Sequence, residues 1–388
     1  MQFASKKLEV QRNKMDYQIK KLDASTYDEW NRFVNAHSEL SIFHTIEWKK
    51  LIQDVFGYSP EYYYVKNQEG TLVGISPAFK CKTFSGKIIM SMPFFEYGGP
   101  FVEQGYDSAY KDIFELYKKK VESKEVKMVK IRGLPTMLDY SKFGLEGYAK
   151  QAEASDFILD LKGKDFEKDV WNRYAKESDI RTNIRKAIKK GAKINKSHNR
   201  ELLYKLVFEK DNKLGSPAFP KKYFEKLEEL FKDRLIYCSS FLPKEDMQLA
   251  ISQPEKENIV TNDTKNLAPV ASMVGIVFNN RMLLHQLGSD EHYLRTCSTF
   301  ILFNEMIKDA MKMDLELVDF GRSRQESQHS HLKEQFLTQK REAYCYVYPI
   351  TKAQDHYKYL WVEKIFAKMP WIINKTPLGQ YIIKRNPQ

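Results

Sequence analysis

Cysteine is sparse in this chain of 388 residues: Cys81, Cys238, Cys297 and Cys345 stand far apart, and no CxxC pair occurs. That spacing argues against a disulfide framework and against a structural zinc site, and it suits a reducing compartment. Long apolar runs are missing as well. None approaches the roughly 18 residues of a membrane span, and the first 22 residues hold no apolar core of signal-peptide length. A cytoplasmic protein, soluble or peripheral on the inner face of the membrane, is the expectation. Acidic residues are the minority charge, with 51 Asp and Glu against 63 Lys and Arg, which leaves a net charge of +12. Such a balance attracts anions, whether nucleic acid, phosphorylated precursors or acidic membrane, without choosing among them. Aromatic residues, by contrast, make up 13% of the chain. A disordered polypeptide lacks that payload, so the chain is globular.

Along the chain, residues 1–16 read as a flexible basic arm. Helices are expected from Ser25 through Val34 and from Phe43 to Gly57. A hairpin follows, with Tyr62–Val65 and Leu72–Ile75 flanking Asn67-Gln68-Glu69-Gly70. Lys87–Met90 reads as a strand that runs into Pro93-Phe94-Phe95-Glu96-Tyr97-Gly98-Gly99-Pro100. A helix from Asp107 and a strand Met128–Ile131 complete a first half, 17–150. The second half, 151–350, repeats the order: a helix Trp171–Lys190, helices near 200–213 and 220–232, and a strand Leu235–Phe241. Two strands then turn at Asn279-Asn280, followed by a helix through Phe300–Ala310 and a strand Leu315–Phe320 closed by Gly321. Residues 243–268 are polar and edged by prolines, and read as a mobile insertion. The repeated order predicts two tandem α/β domains with mixed, mainly antiparallel sheets and a ligand cleft at their junction.

Three segments carry candidate chemistry. From 178 to 200 there are eight Lys and Arg against one Asp. Arg181, Arg185 and Lys189 recur every four residues on one helix face. A solvated face is the plain reading; because such faces normally mix signs, a phosphate-binding face is the sharper one. Second, Val318-Asp319-Phe320-Gly321-Arg322-Ser323 ends a buried strand in an acid, a cation and a hydroxyl, where α/β folds often place site residues. A polar turn remains the alternative. Asp319-Phe320-Gly321 matches the kinase metal triplet, but none of the other kinase motifs precedes it. His329 and His331 have no clear third ligand, so no metal site is expected. Third, Tyr97-Gly98-Gly99 allows close backbone approach, or merely a turn.

These segments occur in an order that resembles the FemAB-like proteins. The resemblance rests on Pro93–Gly99, the basic helix Arg181–Gly191, Leu214-Gly215-Ser216-Pro217, and Asp319–Ser323 followed by a segment centred on Lys333. It covers about residues 27–385 and is closest to the branch associated with exopolysaccharide and exosortase systems. It implies two tandem domains of the Gcn5-related N-acyltransferase (GNAT) type and transfer of an acyl or aminoacyl group to an amine of a cell-envelope precursor. The donor it implies is aminoacyl-tRNA; acyl-CoA is the second choice. The sequence departs from the family where Trp and Gly usually follow the lysine: here Phe336 and Leu337 stand. Coenzyme A users also carry a glycine-rich pyrophosphate loop, whereas Gly288–Ser298 here includes Asp290 and Glu291, which repel a pyrophosphate. On this reading Lys333 stabilises the oxyanion, Arg322 binds a donor or precursor phosphate, and Asp319 orients Arg322 or accepts a proton. Arg181, Arg185 and Ser323 contact substrate, with Tyr97, Gly98 and Gly99 on the opposite wall. A non-catalytic basic scaffold is the rival from another class. The last segment, 351–388, has seven Lys and Arg against two acids, together with Trp361 and Trp371. Its aromatics either close the fold or dock on an anionic membrane surface near a lipid-linked precursor.

Overall fold

The computed structural model describes residues 16–214, 216–244, 257–323, 327–352 and 376–387. Most of the basic arm, the centre of the 243–268 insertion, Gly215 and both tail tryptophans lie outside the described residues. The first half contributes strands β1 (Tyr17–Lys21), β2 (Ser59–Pro60), β3 (Tyr63–Asn67), β4 (Leu72–Ser76), β5 (Phe79–Thr83), β6 (Gly86–Met90), β7 (Phe101–Val102) and β8 (Met128–Arg132). Strand β9 (Ala149–Asp160) crosses to the second half, which adds β10 (Lys193–Asn195), β11 (Leu235–Pro243), β12 (Leu267–Phe278), β13 (Arg281–Ser289), β14 (Leu317–Ser323) and β15 (Gln339–Tyr348).

Local chemistry sets most of these boundaries. The helix Ile46–Phe56 starts where the Thr45 side chain accepts the Trp48 N–H, and it stops at Gly57, whose φ of +72° costs glycine little. The β12–β13 hairpin turns at Asn279 and Asn280, both left-handed at φ +45° and +54°, as a two-residue turn requires. One expected helix is broken. Trp171–Lys190 divides at Ser178, which is extended, into Asn172–Glu177 and Ile180–Lys189. The flanks of the 243–268 segment are ordered: Ile194 and the Ile259–Thr261 segment exchange backbone hydrogen bonds of 2.7 and 2.8 Å, and Ile259 is buried.

The eleven-stranded sheet runs β10-β11-β12-β13-β14-β9-β15-β8-β6-β5-β2, and a four-stranded sheet, β1-β3-β4-β7, packs within the first half. Each half contains the same unit. A hairpin leads through a helix to a strand parallel with the hairpin's second strand: β5–β6, helix Ser108–Glu122 and β8, then β12–β13, helix Ser298–Lys312 and β14. In both units the parallel pairing ends early, at Met90 opposite Lys130 and at Leu283 opposite Asp319. Beyond those points the strands part into a wedge. The units also exchange strands. β9 follows β8 but pairs with β14, β15 follows β14 but pairs with β8, and β9 and β15 pair with each other. The halves therefore share one sheet over two apolar cores.

The final described helix, Pro377–Arg385, returns to the first half. Ile383 is buried there, the Tyr58 hydroxyl donates to the Lys384 carbonyl at 2.9 Å, and Tyr381 meets Phe84 ring to ring. Among the described residues no helix is long and apolar enough to cross a membrane.

Asn279 also ties the hairpin to the first half, because its amide nitrogen donates to the carbonyls of Val34 (3.2 Å) and His37 (3.0 Å). Asn279→Asp sets a carboxylate against those carbonyls, and a loss of about 2 kcal/mol is expected in chemical denaturation, whereas Asn279→Gly keeps the turn and loses less.

Candidate functional site

The Pro93–Pro100 loop joins the two wedges. On one side it plugs the wedge of the first half. Gly98 and Gly99 donate their N–H groups to the Gly133 carbonyl at 3.2 Å, and the buried Arg132 guanidinium donates to the Met92 carbonyl at 2.9 Å and to the Phe95 carbonyl. A Cβ on Gly99 would stand 2.2 Å from the Tyr140 hydroxyl and 2.3 Å from the Arg132 carbonyl. The protein's own interior is thus what demands glycine at this point.

The other side of the loop lines the wedge of the second half. Tyr97 donates its hydroxyl to Asp319 Oδ2 at 3.0 Å, and a Glu96 carboxylate oxygen lies 3.2 Å from the Cβ position of Gly321. Phe95 packs on His285 of β13, whose ring accepts or donates at 2.5 Å with the Tyr223 hydroxyl; burial pushes that imidazole down to about 3, so it is neutral.

Asp319 has no exposed surface. Its Oδ1 accepts the Gly321 N–H at 2.8 Å, and its Oδ2 lies 3.6 Å from an Arg281 guanidinium nitrogen. This closes a tight turn inside β14, with Gly321 at φ +67° and the register shifted between Asp319 and Arg322. The carbonyls of Gly321 and Arg322 turn toward Lys333, which donates to both at 3.1 and 3.0 Å. Lys333 comes from the helix Gln328–Gln335, capped by the Ser327 side chain, and its ammonium also faces the Phe157 ring at 5.6 Å. Burial brings the Lys333 ammonium down to about 8, although Glu96, Asp319 and Asp156 favour its charge. Arg322 is held by Glu153, with Nη1 3.4 Å from Oε2, rather than by Asp319. Glu153 in turn takes Lys130 at 2.6 Å and Arg132 at 3.3 Å. Burial alone would raise its carboxyl, but Arg132, Lys130 and Arg322 outweigh that and hold it well below the usual carboxylate range.

The contacts therefore bring Tyr97, Asp319, Arg322 and Lys333 into one cluster. Ser323 lies at the end of β14, opposite Ser155 in the ladder. Arg181 and Arg185 sit on another element, the helix Ile180–Lys189. The Arg181 guanidinium covers the Trp171 ring at 5.2 Å, and aromatic contacts run on through Tyr174 to Phe336. His331 pairs with Glu334, and among the described residues no group of His, Cys, Asp and Glu can hold a metal. Leu337 adopts φ +62°, a left-handed conformation that side-chain-bearing residues rarely take.

Sequence reading missed Glu153, Asp156, Arg281, Lys130 and Arg132. Asp156 lies on β9, is 1% exposed, and its Oδ1 meets no hydrogen-bond donor among the described residues. The signal was the polar start of an otherwise apolar run, Glu153 through Leu159, which conceals a strand.

Residues 262–330 match a family model described as an acetyltransferase (GNAT) domain. That match spans β12, β13, the helix Ser298–Lys312 and β14, and includes Asp319 and Arg322 but neither Tyr97 nor Lys333. No curated protein sequence matches the chain. Among solved structures the chain is similar to the crystal structure of FemX, with 14% identity and a TM-score of 0.60, over 89% of this chain and 100% of that one. At a TM-score of 0.50 it is similar to a conserved protein of unknown function from Bacteroides thetaiotaomicron, at 8% identity over 85% of this chain and 98% of that one. A C-terminal domain from Agrobacterium fabrum, described as that of a lysylphosphatidylglycerol synthetase, also reaches 0.50, at 10% identity over 87% and 96%. Likeness at these identities establishes the fold: mixed α/β with tandem GNAT-like halves. Together with the family model it supports an acyltransferase.

The loop's two-sided role makes a checkable claim. Gly99→Ala should lower stability by about 1–3 kcal/mol through overpacking, measured as a shift in denaturation midpoint, and should shift the Lys333 cluster through Tyr97.

Proposed function

We propose that the chain transfers an acyl or aminoacyl group to an amino group of a cell-envelope precursor or polysaccharide building block. The observation that carries this reading is the placement of Lys333. Its ammonium is desolvated, fixed by two backbone carbonyls, and set at the open end of a parallel strand pair. Amide formation from an activated ester needs a positioned amine and a cation where the carbonyl oxygen becomes an oxyanion, and such preorganised charge supplies much of the rate. Two of the ammonium's three donors go to Gly321 and Arg322, and among the described residues the third has no protein oxygen partner. Arg322, steadied by Glu153, serves a phosphate of the donor or acceptor.

For the donor, aminoacyl-tRNA is favoured over acyl-CoA. Before the helix Ser298–Lys312, the His292 N–H is taken by Asp290, Glu291 pairs with Lys213, and Gly288 packs against the Leu206–Val207 backbone. This leaves carboxylates where a pyrophosphate cradle needs amides. Charged tRNA suits the basic chain, with Arg181 and Arg185 as phosphate contacts. The acceptor is then a phosphorylated or lipid-linked precursor, of the kind handled in peptidoglycan or exopolysaccharide assembly. The 351–388 segment would hold the enzyme at the inner membrane face, tested by low-salt binding to anionic vesicles.

Lys333→Ala, with its fold verified, should lower turnover by roughly 10²–10³, the usual loss of one oxyanion donor; full activity would return the lysine to a structural role. The pH profile gives a sign. The ammonium deprotonates as pH rises through about 8, so an oxyanion-stabilising Lys333 gives turnover that falls above that pH. Lys333→Arg keeps its charge and should lack this limb. A lysine acting as a base gives the opposite slope.

A further inference from the structure

Beside the Lys333 cluster a small groove lies between the two halves. Its floor is Glu96, Tyr97 and Asp156, and its walls are apolar: Leu134, Met137 and Leu138 from the first half, Tyr344 from β15. Among the described residues, two carboxylates line it and no cation does. Asp156 is 1% exposed and borders the groove with an oxygen that meets no donor among the described residues. An uncompensated buried carboxylate is costly. It takes up a proton unless a cation completes it.

We propose that this groove receives the acceptor amine as an ammonium ion, and that Asp156 is the base that takes its proton while Glu96 helps hold the charge. The apolar lining suits the carbon that carries the amine. The proposal rests on the acyl-transfer reading and adds the residue that activates the nucleophile. One N–H bond breaks and its proton passes to the Asp156 carboxylate. The freed lone pair attacks the donor carbonyl carbon, forming the C–N bond and moving the carbonyl electrons onto the oxygen beside Lys333. Collapse breaks the bond to the leaving oxygen or sulfur, which takes a second proton from nitrogen. Asp156 then releases its proton to solvent.

Around Asp156 stand Asp319 and Arg322 of β14, Lys333, Glu96, and Arg341 opposite it on β15. Burial, then Asp319 and Glu96, push the Asp156 carboxyl well above the usual range, over the opposing pull of Arg322 and Lys333. A carboxylate with that proton affinity is a stronger base than an exposed one, and an arriving ammonium ion restores its charge.

The test uses the intact chain, wild type and Asp156→Asn, a near-isosteric change that also removes a buried carboxylate. n-Butylamine at pH 7 is the probe and n-butanol its uncharged control, with binding read by ligand-observed NMR. This arm needs no acyl donor. Saturable butylammonium binding, weakened about tenfold or more in Asp156→Asn and in the milder Glu96→Gln, supports the site. Equal binding in wild type and Asp156→Asn, or butanol binding as well as butylamine, overturns it. In transfer assays with alanyl-tRNA or acetyl-CoA, Asp156→Asn should lose roughly 10²–10⁴ in kcat, with the KM for the donor little changed and the KM for the amine raised. Its residual rate should climb with pH toward the pKa of the free amine. Wild-type kcat in that variant overturns the base assignment. Ammonium binding that depends on Asp156, with no transfer by the wild type to any amine, sustains the amine site and removes the acyl-transfer reading.

Discussion

The structure turns on a carboxylate that never meets water. Asp319 binds the Gly321 N–H of its own strand, the Tyr97 hydroxyl of the first half and, at longer range, Arg281 of β13. A buried carboxylate is tolerable only when such partners replace its hydration, and losing one of them costs several kcal/mol. Each partner therefore acts as a constraint on geometry. The bond to Gly321 fixes the turn in β14, and the turn aims two carbonyls at Lys333. The bond to Tyr97 brings the first-half loop against the second-half strand, which sets Glu96 over Gly321.

Duplication explains why one wedge is a candidate site and the other is packing. Arg132 and Arg322 stand at matching strand ends, past the last parallel pair of β8 and of β14. Arg132 is buried and spent on loop carbonyls. Arg322 is part exposed, and Glu153 on the exchanged strand β9 reaches both. The first wedge has been filled by the chain, and the filling forms a wall of the second. Exchange of β9 and β15 makes this geometry rigid, since neither half can shift without breaking the ladder that both strands share.

The β3–β4 and β12–β13 hairpins, the helices facing the cores and the strand ending in Asp319 were legible because their apolar periodicity is undisturbed, and the asparagine turn because only a few residues accept two successive positive φ angles, whereas the strand Phe79–Thr83 was not read. The two central strands, Ala149–Asp160 and Gln339–Tyr348, were not. Their opening residues are charged or polar, Lys150, Glu153 and Asp156 in one, Lys340, Arg341 and Glu342 in the other, so neither shows a strand's alternation. These are residues that pair across the ladder or enter the site, and function is where local pattern and fold are expected to disagree. Lys333, Arg322 and Tyr97 could be nominated from motifs. Glu153 and Asp156 could not, since their meaning depends on a strand exchange that no local signal encodes. The break at Ser178 was hidden for a related reason: the apolar stripe continues across it, while the backbone does not.

Charge has opposite senses at the two length scales of this molecule. At long range the chain is basic, with a net +12, which raises the encounter rate with a polyanion or a phosphorylated precursor and is screened over about 10 Å at 0.1 M salt. At short range the groove beside Lys333 shows two carboxylates and, among the described residues, no cation in its lining. A reaction that joins an amine to an ester carried on a phosphate-rich donor needs both. On the proposed reading, the exterior field would gather the donor without regard to what group it carries, and the interior field would select an ammonium ion over a second anion. Lys333 and Asp156 lie between these regimes, and burial shifts each toward its neutral form, the lysine downward and the aspartic acid upward. Two groups whose proton affinities converge in this way can pass charge to and from a reacting centre at modest cost, which an exposed ion pair, with its proton affinities several units apart, cannot do.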